Sequence, residues 1–143
     1  MPNTVVPMPP TSTAEEAPTG PLDRARLRLR LVLGAGHKLG PGKIDLLEAI
    51  EATGSITAAG RSMGMSYRRA WLLIDEANRL FTAPLVVTAA GGSGGGGARL
   101  TDLGRDLVAA FRRIEARTRA AVAEELGPFE AAFADLDAPL PER

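Results

Sequence analysis

Gly54 to Phe81 reads GSITAAGRSMGMSYRRAWLLIDEANRLF. It has the pattern of a short helix, a tight turn and a longer helix that opens with two arginines. Ser55 is a good N-cap, since its hydroxyl can accept from an orphan amide of the first turn. Ile56, Ala59 and Met63 then recur at helical spacing. Ala58 and Ala59 are small enough to let a second helix approach closely. Gly64 suits the left-handed residue that ends a helix, and Ser66 caps the next one. In that helix Ala70, Leu73, Ile74, Ala77, Leu80 and Phe81 form an inner stripe. Arg68, Leu72, Asp75 and Arg79 lie opposite, flanked by Tyr67 and Trp71. This is the layout of a helix-turn-helix, whose second helix enters the major groove and meets bases with its N-terminal residues.

Working outward, Gly54 closes an earlier helix that starts at Pro41 and turns Ile44, Leu47 and Ile50 inward. Before it, Gly34 to Gly42 reads as a glycine-rich loop carrying an exposed His37. Arg24 to Leu33 alternates strictly, with Arg24, Arg26, Arg28 and Arg30 on one side and Leu27, Leu29, Leu31 and Leu33 on the other. It predicts one half-buried strand. The arginine row is read as the wet side of a sheet. The other reading, contacts along DNA phosphates, needs a facing groove that sequence alone does not place.

After Phe81, Pro84 predicts a helix break. Leu85 to Thr88 and Arg99 to Thr101 read as two short strands around the glycine-rich tip AAGGSGGGGA, residues 89–98. The pair predicts a wing whose amides, those of Gly94 and Gly95 among them, can meet phosphates. A nucleotide phosphate loop is disfavoured: the Gly-Lys-Ser/Thr ending is missing. Thr101 caps a last long helix, Asp102 to about Leu126, with Asp102 at its positive end. Leu103, Leu107, Phe111, Ile114, Thr118 and Ala121 make a seam along it. Its length suggests helix-to-helix dimerisation through Leu107, Phe111, Ile114, Thr118 and Ala121, while the first turns pack on their own domain.

The expected fold class is mainly α with a small β component, a winged helix-turn-helix with a long C-terminal dimerisation helix. The expected segments are a disordered N-terminal arm over 1–21, the DNA-binding domain over 22–101, the dimerisation helix over 102–127 and an acidic tail over 128–143. In the tail Phe129, Phe133, Leu136 and Leu140 are candidate anchors.

Charge agrees with a local footprint. The 143 residues carry 17 Lys and Arg against 17 Asp and Glu, a formal net charge of zero. From Arg24 to Arg113, however, there are fourteen basic against seven acidic residues, and after Arg113 three against seven. With no cysteine, disulfides, thiol catalysis and cysteine zinc sites are excluded. One histidine cannot build a histidine metal cluster. No metal, no cofactor and no membrane span are expected, no nucleophile–base pattern suggests an enzyme, and the cytoplasm is the default location.

The order strand, helix, GSITAAGRSMGMSYRRAW, glycine-rich wing, LTDLGRDLV, long helix resembles the N-terminal DNA-binding domain of the ModE family of molybdate-responsive regulators. Gly54 to Trp71, the wing Gly91 to Gly97 and Leu100, Thr101 and Gly104 carry the likeness, which spans roughly Arg24 to Val122. A looser similarity to LysR-type regulators covers the same helices. The resemblance implies a homodimer on a roughly palindromic double-stranded operator. It also implies that Ser66, Tyr67, Arg68 and Arg69 start the recognition helix and that Gly91 to Arg99 form the wing. ModE proteins bind molybdate through C-terminal domains for which these residues offer no counterpart, so molybdate sensing is not carried over, and the effector ligand or partner protein stays open.

Arg68 is expected to contact a base, Arg69 a base or a phosphate, and Ser66 and Tyr67 a phosphate or a thymine methyl. Leu72 suits apolar contact with a base, and Trp71 suits packing at the flank. Arg61, Arg79 and Arg99 suit phosphates, with Asp75 paired to Arg79 one turn on. The alternative function is a winged-helix protein-interaction or dimerisation module that does not bind DNA.

Overall fold

The helical elements form where the capping residues stand. In a computed structural model that describes residues 20–89 and 97–142, Gly40 precedes α1 (Pro41–Thr53), with the proline at its start. Gly54 ends α1 in the left-handed conformation (φ 70°) and donates its amide to the Ile50 carbonyl at 2.7 Å. Ser55 caps α2 (Ile56–Ser62), its hydroxyl accepting from the Ala58 amide at 3.1 Å. Gly64 turns the chain with φ 68°, and Ser66 caps α3 (Tyr67–Asn78) through the Arg69 amide at 3.1 Å. Thr101 caps α4 (Asp102–Leu126) by accepting from the Gly104 amide at 3.1 Å. A 3₁₀ turn, Gly127–Ala132, follows.

Two antiparallel hairpins complete the order. β1 (Leu31–Leu33) pairs with β2 (His37–Leu39), and β3 (Val86–Thr88) with β4 (Ala98–Leu100). The second hairpin is the wing. The fold is thus mainly α with a small β component, in winged helix-turn-helix order. The chain divides into two compact units. One is Leu27–Ala121; the other draws its described residues from the two ends of the chain.

The first hairpin corrects the sequence reading in two places. The expected strand over Arg24 to Leu33 pairs only at Leu31–Leu33, and the expected loop over Gly34 to Gly42 contains β2. Gly34 and Gly36 take positive φ (56° and 117°) and fold the chain back. Leu31 and Leu33 are 42% and 44% exposed, so the inner face ends with half-buried Leu27 and Leu29. Phe81 is a further correction. α3 stops at Asn78, six residues before Pro84, which leaves Phe81 beyond the stripe and exposed. In the tail, Phe129, Leu136 and Leu140 are exposed.

The core gathers Ile44, Leu47 and Ile50 of α1, Ile56 and Ala59 of α2, Leu73 and Ile74 of α3, Leu85 and Leu100 at the wing, and Phe111 of α4. Two glycines allow the tightest approaches. A methyl group on Gly60 would lie 2.9 Å from the Ala70 side chain, where α2 meets α3, and one on Gly104 would collide with the Leu85 carbonyl. Phe111 is 1% exposed and Leu107 packs on the same core, so Phe111 is spent inside its own domain. This corrects its assignment to a dimer seam. Of the five seam residues, Ile114 and Ala121 are exposed and Thr118 is half-buried.

α4 runs antiparallel to α1, locked by charge. Arg105 meets Glu51 at 3.5 Å; one helical run later Arg112 meets Glu48 at 2.8 Å and Asp45 at 2.6 Å. Arg112 also holds the buried Glu115 at 2.7 Å. The hydrogen bond from Arg112 keeps the Glu48 carboxyl below the usual carboxylate range, against a smaller opposing effect of burial. Arg112 is correspondingly raised, chiefly by Glu48.

Candidate nucleic-acid interface

α3 is held at three points. Gly60 lets α2 close on Ala70. Lys43 of α1, with a side chain only 9% exposed, donates to the Lys38 carbonyl at 2.8 Å and pairs with Glu76 of α3 at 3.1 Å. Asn78 accepts from the Leu85 and Val86 amides at 2.9 and 3.2 Å, joining the end of α3 to the first wing strand. The wing's other strand is anchored by the Ala98 amide, which donates to the Gly54 carbonyl at 2.9 Å. The Lys43–Glu76 pair and the Ala98–Gly54 bond join residues far apart in sequence, whereas Asn78 reaches only to the start of the next strand. Only the polar residue types at Lys43, Glu76 and Asn78, inside otherwise apolar periodicity, could have hinted at them.

The anchored helix leaves its other side in solvent. Ser66, Tyr67, Arg68, Arg69, Trp71, Leu72, Asp75, Glu76 and Arg79 are all exposed. Arg68, Leu72, Asp75 and Arg79 share one face at steps of three and four. The expected pair of Asp75 and Arg79 is present at 3.1 Å. Arg68 has no acidic partner among the described residues. Tyr67 and Trp71 meet edge to face, ring centroids 6.0 Å apart, on the flank toward the wing. There a groove of about 310 Å³ runs between them and Thr88, Gly97 and Ala98 at the wing base. Arg69 occupies the other flank.

The remaining candidates are spread more widely. Arg61 is exposed in the last turn of α2, away from the caps that set α3. Arg99 is exposed on β4, opposite Val87. Gly94 and Gly95 lie outside the described residues, as does most of the wing tip from Gly91. Among the described residues, no group of three or more metal-ligating side chains comes together, and no helix is long and apolar enough to cross a membrane.

The sequence that builds this arrangement is similar to known proteins. The molybdenum transport protein ModE of Azotobacter vinelandii is 45% identical over 95 residues, which cover 66% of this chain and 35% of that protein. The domain is ModE-like. The molybdenum-pterin-binding protein MopB of Rhodobacter capsulatus is 46% identical over 95 residues, 66% of this chain and 34% of its own length. The DNA-binding transcriptional dual regulator ModE of Escherichia coli K12 is 40% identical over 85 residues, 59% and 32% of the two chains. The ModE-like match therefore spans about a third of each of these relatives. No family model matches the chain.

Proposed function

We propose that this ModE-like domain binds double-stranded DNA sequence-specifically and regulates transcription, without enzymatic activity. The observation that carries the proposal is the exposed, Ser66-capped start of α3, with Tyr67, Arg68, Arg69 and Leu72 in solvent and the helix body fixed beneath them. Arg68 projects from the centre of that face and takes a guanine through two hydrogen bonds, and Leu72 beside it meets a thymine methyl. Ser66, Tyr67 and Arg69 meet the flanking backbone or base edges. Arg61, Arg79, Arg99 and the wing amides, Gly94 and Gly95 included, bind phosphates. The name of the Escherichia coli relative, a DNA-binding regulator, supports the reading.

The working form is a homodimer on a roughly palindromic operator. Exposed Ile114 and Ala121 and half-buried Thr118 on α4 support a helix-to-helix contact, which Leu107 borders from within the domain. Two reading helices then sit about 34 Å apart, one turn of duplex. The site of action is the cytoplasm, with no cofactor.

Gel-shift binding to genomic fragments tests the DNA reading. Retained complexes whose affinity falls steeply between about 50 and 200 mM salt are expected. Absence of any complex would move the domain to the protein-interaction reading. Sedimentation of the full chain and of Ile114→Glu tests the dimer: a wild-type dimer and a monomeric variant are expected, and a monomeric wild type would remove the two-fold arrangement.

A further inference from the structure

The arginine row ahead of β1 has a fixed position. Half-buried Leu29 packs on the core while Arg28 and Arg30 stay exposed. Gly40 holds the segment close to α1: a methyl group there would lie 3.2 Å from the Leu29 carbonyl oxygen and 3.5 Å from the Arg30 Cα. The β1–β2 turn then returns the chain so that Lys38 joins them. The outcome is a cleft of about 360 Å³ lined by Arg28, Arg30, Lys38 and Arg69, with Lys43 and Glu76. Lys43 neutralises Glu76 at 3.1 Å. The other four cations have no carboxylate partner among the described residues. Gathering like charges without an anion is unfavourable, and the cost is relieved when an external anion enters.

Arg69 ties this cleft to the reading helix. It belongs to both, and it lies on the flank away from the Tyr67–Trp71 groove and the wing. A duplex whose major groove receives α3 presents one phosphate strand along each flank of the helix. We propose that Arg28, Arg30 and Lys38, with Arg69, form a second backbone clamp, which grips phosphates on the side of α3 away from the wing. The inference rests on the DNA-binding reading above and extends it to three residues ahead of α1.

The test measures affinity of the full chain against salt, for a specific and an unrelated duplex. The double variant Arg28→Ala/Arg30→Ala is expected to bind both duplexes roughly tenfold more weakly and to flatten the log–log salt slope by about 2, one unit per lost phosphate contact. Arg28→Lys/Arg30→Lys is expected to keep the slope, since a lysine neutralises a phosphate as a point charge. Duplexes with neutral methylphosphonate linkages at the flanking positions should weaken the wild type more than the double-alanine variant, which keeps only Lys38 and Arg69 for those phosphates. An unchanged slope and affinity in that variant, with the wild type binding normally, would overturn the clamp alone. A wild type that binds no duplex at any salt would overturn the clamp together with the reading it rests on.

Discussion

Arg112 and Arg68 are the same residue type in opposite circumstances. Arg112 on α4 is shared among Asp45, Glu48 and Glu115, all within 2.8 Å. Arg68 on α3 is exposed with no acidic neighbour among the described residues. The α1–α4 side uses its cations for internal cohesion. On α3, Arg79 is paired with Asp75, whereas Arg68 and Arg69 have no acidic partner among the described residues. Charge totals hide this difference: it is the pairing, and not the count, that separates Arg112 from Arg68.

The largest test of that difference is Arg112→Ala. It strands the buried carboxylate of Glu115 and removes the pairs with Asp45 and Glu48 of α1, and it is expected to lower stability by about 2–4 kcal/mol, read as a fall in the denaturant midpoint. Duplex affinity of the folded fraction should be unaltered. Next comes Arg68→Ala, expected to cost about 1–3 kcal/mol on the preferred duplex and to relax base choice there. Its unfolding midpoint should match the wild type within about 0.5 kcal/mol. If the Arg68 variant discriminated among duplexes as the wild type does, the assignment of the reading face would be wrong. A smaller effect is expected from acid. Glu48 is held below its ordinary value of 4.5, so the unfolded chain takes up its proton first. Its stabilising share is complete above about pH 4.5 and is lost as pH falls through the folded value. Glu48→Gln should flatten that part of a stability–pH curve. The smallest is Arg79→Ala, which removes one exposed pair with Asp75 and should change stability by no more than about 0.5 kcal/mol while weakening all duplexes alike.

What the sequence disclosed was local. Caps act over three or four residues, so Ser55, Ser66, Thr101 and the left-handed Gly54 and Gly64 could be placed from composition and spacing, and the helices between them followed. The β1–β2 hairpin was hidden because Arg24 to Leu33 alternates as one continuous strand would, while His37–Leu39 contains no β-branched residue. Pairing there is set by the turn at Gly34 and Gly36, not by strand preference. For the same reason the arginine row lacked a facing groove until Lys38 folded back toward Arg69. Phe111 fitted a seam of repeated apolar positions, and periodicity cannot say whether such a seam meets its own domain or another chain. The exposed start of α3 was legible because it follows from the cap and the stripe. The Lys43–Glu76 pair was not, because it joins residues that only the tertiary arrangement brings together.

Asn78 accepts two amides from the beginning of β3 with a single side-chain oxygen. Two hydrogen bonds thus join the end of α3 to the first wing strand. Under the proposed DNA-binding reading, a duplex would have to suit both elements at once. On that reading, stretches of stiff or compressed duplex would bind less well even where every contacted base is correct, which would make the mechanical character of the double helix part of the recognition.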